Sequence, residues 1–190
     1  QWGLDNCGNE YDWVMRMDAD EYIEPELVEE LISKLPGLTT EVGGIYIRRK
    51  VLFHGQWMKY GGTYPQTLMR IWRKGKAAIE ERWMDEHIVL LSNLKTITVT
   101  GHLVDDNLKG ITFWTSKCNT YASREMVDLL NEKYLIFKKD VSLIKSDDKQ
   151  ARKKRLIKSN IYSHLPLGLR AIAYFFYRYF FRFGFLDGRK

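Results

Sequence analysis

Two cysteines in 190 residues, Cys7 and Cys118, are too few for a disulfide-knit secreted scaffold or a four-cysteine zinc site. No run of about 18 uncharged apolar residues occurs, which argues against a plain transmembrane helix. The chain has no internal repeat, low-complexity tract, Gly-rich phosphate loop, zinc spacing or Ser/His/Asp arrangement. It begins at Gln1, with neither an initiator Met nor a signal-peptide pattern, and reads as the interior of a longer chain. What it has is a core: 45% of its residues are hydrophobic and 28% charged, which excludes a disordered tail.

Charge is divided unevenly. Residues 1–148 carry 19 Lys/Arg against 23 Asp/Glu, a net of −4. Residues 149–190 carry 11 against one, a net of +10. A mildly acidic body is joined to a basic tail that suits a polyanion, either a membrane surface or nucleic acid.

Residues 12–17 read as a short buried strand running into Asp18-Ala19-Asp20-Glu21. Pro25 suits a first helical turn, with Glu26, Glu29 and Glu30 near the positive end of the helix dipole. Leu27, Val28, Leu31, Ile32 and Leu35 follow at helical spacing, and Pro36-Gly37 ends the run. The sum is strand, acidic loop and helix, with carboxylates at the strand's C-terminal end, the edge where open α/β sheets bind ligands. Gly43–Phe53 predicts a strand turning at His54-Gly55 into Gln56–Tyr60. Thr67–Trp72 and Ala77–Glu80 flank a hairpin turn at Arg73–Lys76. A polar loop at 81–87 precedes the apolar Ile88–Leu91. Lys95–Val104 reads as a strand, and a long helix runs from Gly110 to about Lys133.

The tail reads as a basic helix over 149–160, containing Arg152-Lys153-Lys154-Arg155, and an apolar aromatic helix over 164–186. At about 100° per residue, Arg170, Arg178 and Arg182 fall in one sector of about 120°. A wide apolar face with an Arg stripe describes a helix lying in a bilayer surface, with a C-terminal helix packed on the body as the alternative.

Three constellations could carry chemistry. Asp18 and Asp20, spaced i, i+2 after a strand, can converge on Mg²⁺ or Mn²⁺ that completes its shell with phosphate oxygens, or they form a solvated loop. An EF-hand is a poor fit because Ile23 stands where that loop needs Gly. Asp85-Glu86-His87 offers groups able to take a proton from a hydroxyl nucleophile, or charges that face water or pair with Arg82. Gln66, Arg70, Trp72, Arg73 and Trp83 could clamp pyrophosphate and stack on a sugar or base. Strand alternation places Arg70 and Trp72 on one face and Arg73 on the other. The same residues are equally consistent with core Trp and surface Arg. His102 is a possible metal ligand or a hydrogen-bonded strand histidine. His54 and His164 suggest nothing specific, and Cys118 reads as core.

Residues 13–21, Trp-Val-Met-Arg-Met-Asp-Ala-Asp-Glu, resemble the metal-binding segment of family 2 glycosyltransferases with the GT-A fold. Residues 67–73 and 81–88 look like the acceptor-side segment of those enzymes. Residues 113–125 are similar to a helix of bacterial surface-polysaccharide and lipopolysaccharide-type members, and 165–188 resemble their membrane-associated tail. The resemblance implies a mixed sheet flanked by helices. Residues 1–148 would be the C-terminal part of a GT-A catalytic domain lacking its N-terminal nucleotide-binding portion, and 149–190 an amphipathic tail.

By the same resemblance Asp20 would bind the metal and Asp18 the ribose or the metal shell. His102 is a further metal candidate. Glu86 would be the general base, with Asp85 its rival, and Arg70 and Arg73 would lie near phosphate or acceptor. Cys118 stands where close relatives lead one to expect His. The implied activity is inverting transfer of a sugar from a nucleotide donor, UDP foremost, to a polysaccharide or lipid-linked acceptor. It would occur at the cytoplasmic face of the inner membrane, with the enzyme peripheral and held by anionic lipids at about 1 kcal/mol per basic residue. No nucleic acid is expected as a partner. The rival class is a non-catalytic membrane- or nucleic-acid-binding module with a basic tail.

Overall fold

The computed structural model describes residues 10–80, 87–137 and 166–188, together with Gly3, Lys153 and Leu156. It is a mixed α/β structure. Strands β1 (Trp13–Met15), β2 (Glu21–Ile23), β3 (Val42–Phe53), β4 (Gln56–Trp57), β5 (Gln66–Arg73) and β8 (Lys95–Asp106) form a six-stranded sheet. Its order is β1-β5-β3-β8-β2, with β4 paired onto β3. Only β3 and β8 run parallel; every other pair is antiparallel. Strands β6 (Ala77–Ile79) and β7 (Ile88–Leu90) make a separate two-stranded sheet. The described helices are α1 (Pro25–Lys34), α2 (Ile111–Tyr134) and α3 (Leu167–Phe176).

Two apolar clusters fill the faces of the sheet. On one, Leu27 and Leu31 of α1 pack on Ile45, Ile47, Ile71, Val99 and Leu103. The i, i+4 spacing puts both leucines on one stripe of α1, and Pro25 opens the helix at its first turn. On the other, Trp72 is 1% exposed among Tyr46, Met69, Ala77 and Ile88, under the β6–β7 hairpin. Trp72 is therefore a core residue.

Several sequence expectations hold. The helix after Pro25 ends in a 3₁₀ turn at Leu35–Gly37, and α2 stops at Tyr134 with Leu135 in the left-handed region. The β3–β4 hairpin turns at His54 and Gly55, both at positive φ, the pattern of a tight two-residue connection.

Three expectations are corrected. A turn does form at Arg73–Lys76, where the Lys76 amide donates to the Arg73 carbonyl at 3.0 Å. The segment after it nevertheless leaves β5 and pairs with β7 across residues 77–79 and 88–90. The acidic segment is not followed directly by the helix: Glu21–Ile23 form an edge strand on β8, so Arg16–Asp20 connect one edge of the sheet to the other. The apolar tail is not one continuous α-helix. After α3 it widens into a π turn at Tyr177–Phe181, reverses at Phe183 (φ 56°) and closes in a 3₁₀ turn at Gly184–Asp187.

Candidate functional site

The Asp18–Glu21 segment is positioned by β5. Ile45 and Tyr46 of β3 face Ile71 and Met69 of β5, so Arg70 is the extra residue of a β-bulge. A bulge re-aims its side chain, and this one breaks the alternation that would have kept Arg70 beside Trp72. The Arg70 guanidinium instead meets the carboxylate of Glu21 and, at 3.2 Å, that of Asp18. Its carbonyl accepts from the Arg16 amide at 2.9 Å, which ties the start of the acidic loop to the bulge.

The carboxylates of this loop differ in environment. Glu21 is only 1% exposed at its side chain, accepts the Asp18 amide at 2.9 Å and faces Asp105 across the β2–β8 pair. Burial raises its pKa, against the lowering effect of the Asp18 amide and Arg70. Asp18 and Asp20 remain 45% and 35% exposed. Arg16 lies 3.6 Å from Asp18; Asn107 and Lys117 lie 3.3 and 3.7 Å from Asp20. The Asp106 amide holds the Asp20 carbonyl at 2.9 Å.

Sequence reasoning missed four neighbours. Asp105 is paired to Arg49 at 3.2 Å, and its carboxyl is pushed up by burial, opposed by Arg49 and reinforced by the fields of Asp20 and Asp18. Asn107 and Lys117 reach Asp20 from the end of β8 and from α2. The available signal was Asp105-Asp106 closing an apolar strand, the same pattern that singled out Asp18 and Asp20.

Other candidates lie elsewhere. Arg73 clamps the turn after α1, donating to the carbonyls of Val42 (2.9 Å), Leu38 and Thr39 (both 3.1 Å), and it covers the Trp13 ring at 4.5 Å. Gln66 accepts from Arg49 at 2.6 Å. His102 is separate from Asp18 and Asp20: its Nε2 is 2.9 Å from the Tyr64 hydroxyl and its Nδ1 3.5 Å from Glu24, which Lys50 also holds at 2.6 Å. Burial, and then Lys50, lower its pKa against the pull of Glu24. A cleft of about 480 Å³ opens beside it between Glu24, Glu26, Lys50 and Thr100.

Asp85, Glu86 and Trp83 lie outside the described residues. Their loop begins and ends at Glu80 and His87: the Glu80 amide donates to the His87 carbonyl at 3.0 Å, and His87 Nδ1 lies 3.3 Å from the buried Glu80 carboxylate. Cys118 is a free, half-buried thiol on α2 rather than a core residue. Arg152, Lys154 and Arg155 fall outside the described residues as well.

Among the described residues, no three His, Cys, Asp or Glu side chains are grouped to hold a metal ion. Two partly exposed carboxylates are a donor set for a hard cation that takes its remaining ligands from a substrate, not for an all-protein cage. A comparison with known protein families finds no match to this chain.

Proposed function

We propose that this chain is part of an inverting glycosyltransferase of family 2, with the GT-A fold. It moves a sugar from a nucleotide donor, UDP-linked in the first instance, to a hydroxyl of a polysaccharide or lipid-linked acceptor in cell-surface glycan assembly. The observation that carries the reading is the Asp18/Asp20 pair. The loop is anchored by the buried Glu21–Arg70 pair, while the two aspartates that would do chemistry keep a third or more of their side chains open.

Asp20, with Asp18, fits Mg²⁺ or Mn²⁺ held jointly with a diphosphate. Such an ion supplies positive charge opposite the leaving group. Arg70 serves this site by holding Asp18 in place, since its guanidinium is already engaged by two carboxylates. Glu86, with Asp85 as rival, takes the acceptor proton, a role that requires a carboxylate within hydrogen-bond reach of that hydroxyl. The C-terminal segment holds the enzyme peripherally at the cytoplasmic face of the inner membrane.

The test is calorimetric titration of UDP in the presence of Mn²⁺, using the complete protein and its Asp20→Ala and Glu86→Gln variants. Metal-dependent binding should vanish in Asp20→Ala and persist in Glu86→Gln, which should lose transfer while keeping donor affinity. Absence of Mn²⁺-dependent binding of UDP and of other nucleoside diphosphates by the unmodified protein would refute the reading and leave a non-catalytic binding module.

A further inference from the structure

The segment 166–188 turns its two kinds of side chain in different directions. Its C-terminal half is docked on the loop that follows β4. Arg178 Nε donates to the Gly61 carbonyl at 2.6 Å and its Nη2 to the Thr63 hydroxyl at 3.0 Å. The Gly61 amide donates to the Arg182 carbonyl at 2.9 Å. Asp187 accepts the Lys59 and Tyr60 amides at 2.8 and 3.1 Å, and its carbonyl accepts from Gln56. The Arg182 guanidinium runs alongside Gly62, and Arg170 is half-buried. Gly61 and Gly62 are both at positive φ, which brings this loop close to Gly184.

The aromatic side chains stay largely open to solvent, Tyr174 beneath the Arg178 guanidinium included. Phe175 stacks on Tyr179 and Phe176 on Phe180, with interplanar angles of 12° and 18°, yet all four rings are 42–56% exposed and Phe181 is 76% exposed. An apolar patch of this extent on a helix fastened by its polar groups has one of its two faces left to cover. The arginine stripe, expected to meet anionic headgroups, faces the protein at Arg178.

We infer that residues 169–186 seat in a lipid surface through their aromatic face, by apolar burial, while the Arg178 guanidinium, the Arg182 carbonyl and Asp187 fasten the β4–β5 loop to that segment. This rests on the membrane-surface reading above and changes its chemistry: binding by this segment requires no anionic lipid. Lipid is the occupant that fits, because the outward face combines Phe with Tyr, whose ring is apolar and whose hydroxyl stays at the headgroup level.

The experiment is vesicle co-sedimentation of the complete chain with phosphatidylcholine alone and with added phosphatidylglycerol, each at low and at about 0.5 M salt, where charge interactions are screened within a few ångströms. The expected result is binding to phosphatidylcholine that survives high salt and changes no more than about twofold when Arg152, Lys153, Lys154 and Arg155 are replaced by Gln. Phe175→Ser/Phe176→Ser/Phe180→Ser should weaken it by about tenfold or more, and Phe181→Ser alone, at the most exposed ring, by a few-fold. Urea midpoints matching the unmodified chain would show that the body of each variant is intact.

Binding confined to anionic vesicles and abolished by salt would overturn the apolar mode while leaving membrane association standing. Failure to bind any vesicle would overturn both. Loss of self-association in the Phe variants, with no change in lipid binding, would assign the face to a second copy of the chain and overturn the inference.

Discussion

Glu30 joins α1 to the sheet at the point where β8 departs from regular pairing. Between Tyr46 and Arg48 of β3, β8 advances from Thr98 to His102, leaving a bulge whose amides are turned away from the ladder. The Glu30 carboxylate accepts from the Thr100 amide at 2.9 Å, the Thr100 hydroxyl at 2.9 Å and the Gly101 amide at 2.8 Å, and it pairs with Lys34 at 2.6 Å. Burial favours the neutral acid but is outweighed by Lys34 and these three donors, so the pKa falls from 4.5 to about 2.

At about 1.4 kcal/mol per unit, that shift corresponds to about 3 kcal/mol at neutral pH, or about 2 kcal/mol once solvent screening at a side chain 12% exposed is allowed for. Because the folded pKa lies below the unfolded one, the contribution is complete above pH 4.5 and is lost as pH falls through about 2. Glu30→Gln keeps the shape and removes the charge. Urea unfolding at neutral pH should show it about 2 kcal/mol less stable than the unmodified chain, a gap that shrinks to less than half by about pH 3. A gap below about 0.5 kcal/mol, or one unchanged between neutral pH and pH 3, would refute the assignment of these donors as the cause.

Other perturbations have equally direct expectations. A Cβ on Gly101 would lie 2.6 Å from the Leu27 Cα, so Gly101→Ala should push α1 off the sheet and cost about 1–3 kcal/mol in thermal or urea unfolding. Arg70→Met leaves Glu21 buried without its cation and should cost about 3–5 kcal/mol. Adding Glu21→Gln should recover part of that loss, and a double-mutant cycle that shows no coupling would contradict the pairing. A chain ending at Lys149 should lose vesicle binding; equal sedimentation of the shortened and complete chains would remove the C-terminal segment from membrane attachment. Asp187→Asn weakens the acceptor for the Lys59 and Tyr60 amides, and should raise hydrogen exchange at both while leaving amides of the buried β3 core unchanged.

The elements written by local chemistry were the legible ones. Pro25 and the Leu27/Leu31 stripe specify α1, and His54-Gly55 specifies a tight hairpin. Asp18 and Asp20 could be singled out because two carboxylates closing an apolar strand stand out in the chain itself. Pairing partners were not written locally. The segment Ala77–Glu80 reads as a strand, but whether it meets β5 or β7 depends on Trp72 needing a cover on its face of the sheet.

The sequence alone also determined the division between an acidic body and a basic, aromatic tail, since charge and hydropathy need no coordinates. Tertiary structure alone decided what each charged side chain meets. Alternation assigned Arg70 to the face of Trp72, and one extra residue in β5 turned it to Glu21 and Asp18. Arg73, singled out beside Arg70 as a candidate phosphate clamp, sets its guanidinium on the carbonyls of residues 38, 39 and 42. Arg178 occupied an arginine stripe on a helical wheel and faces the body because a glycine loop presents a carbonyl there. Period and composition are properties of neighbours in sequence, whereas the partner of an ion or an amide is set by which distant strand or loop the fold brings within about 3 Å of it.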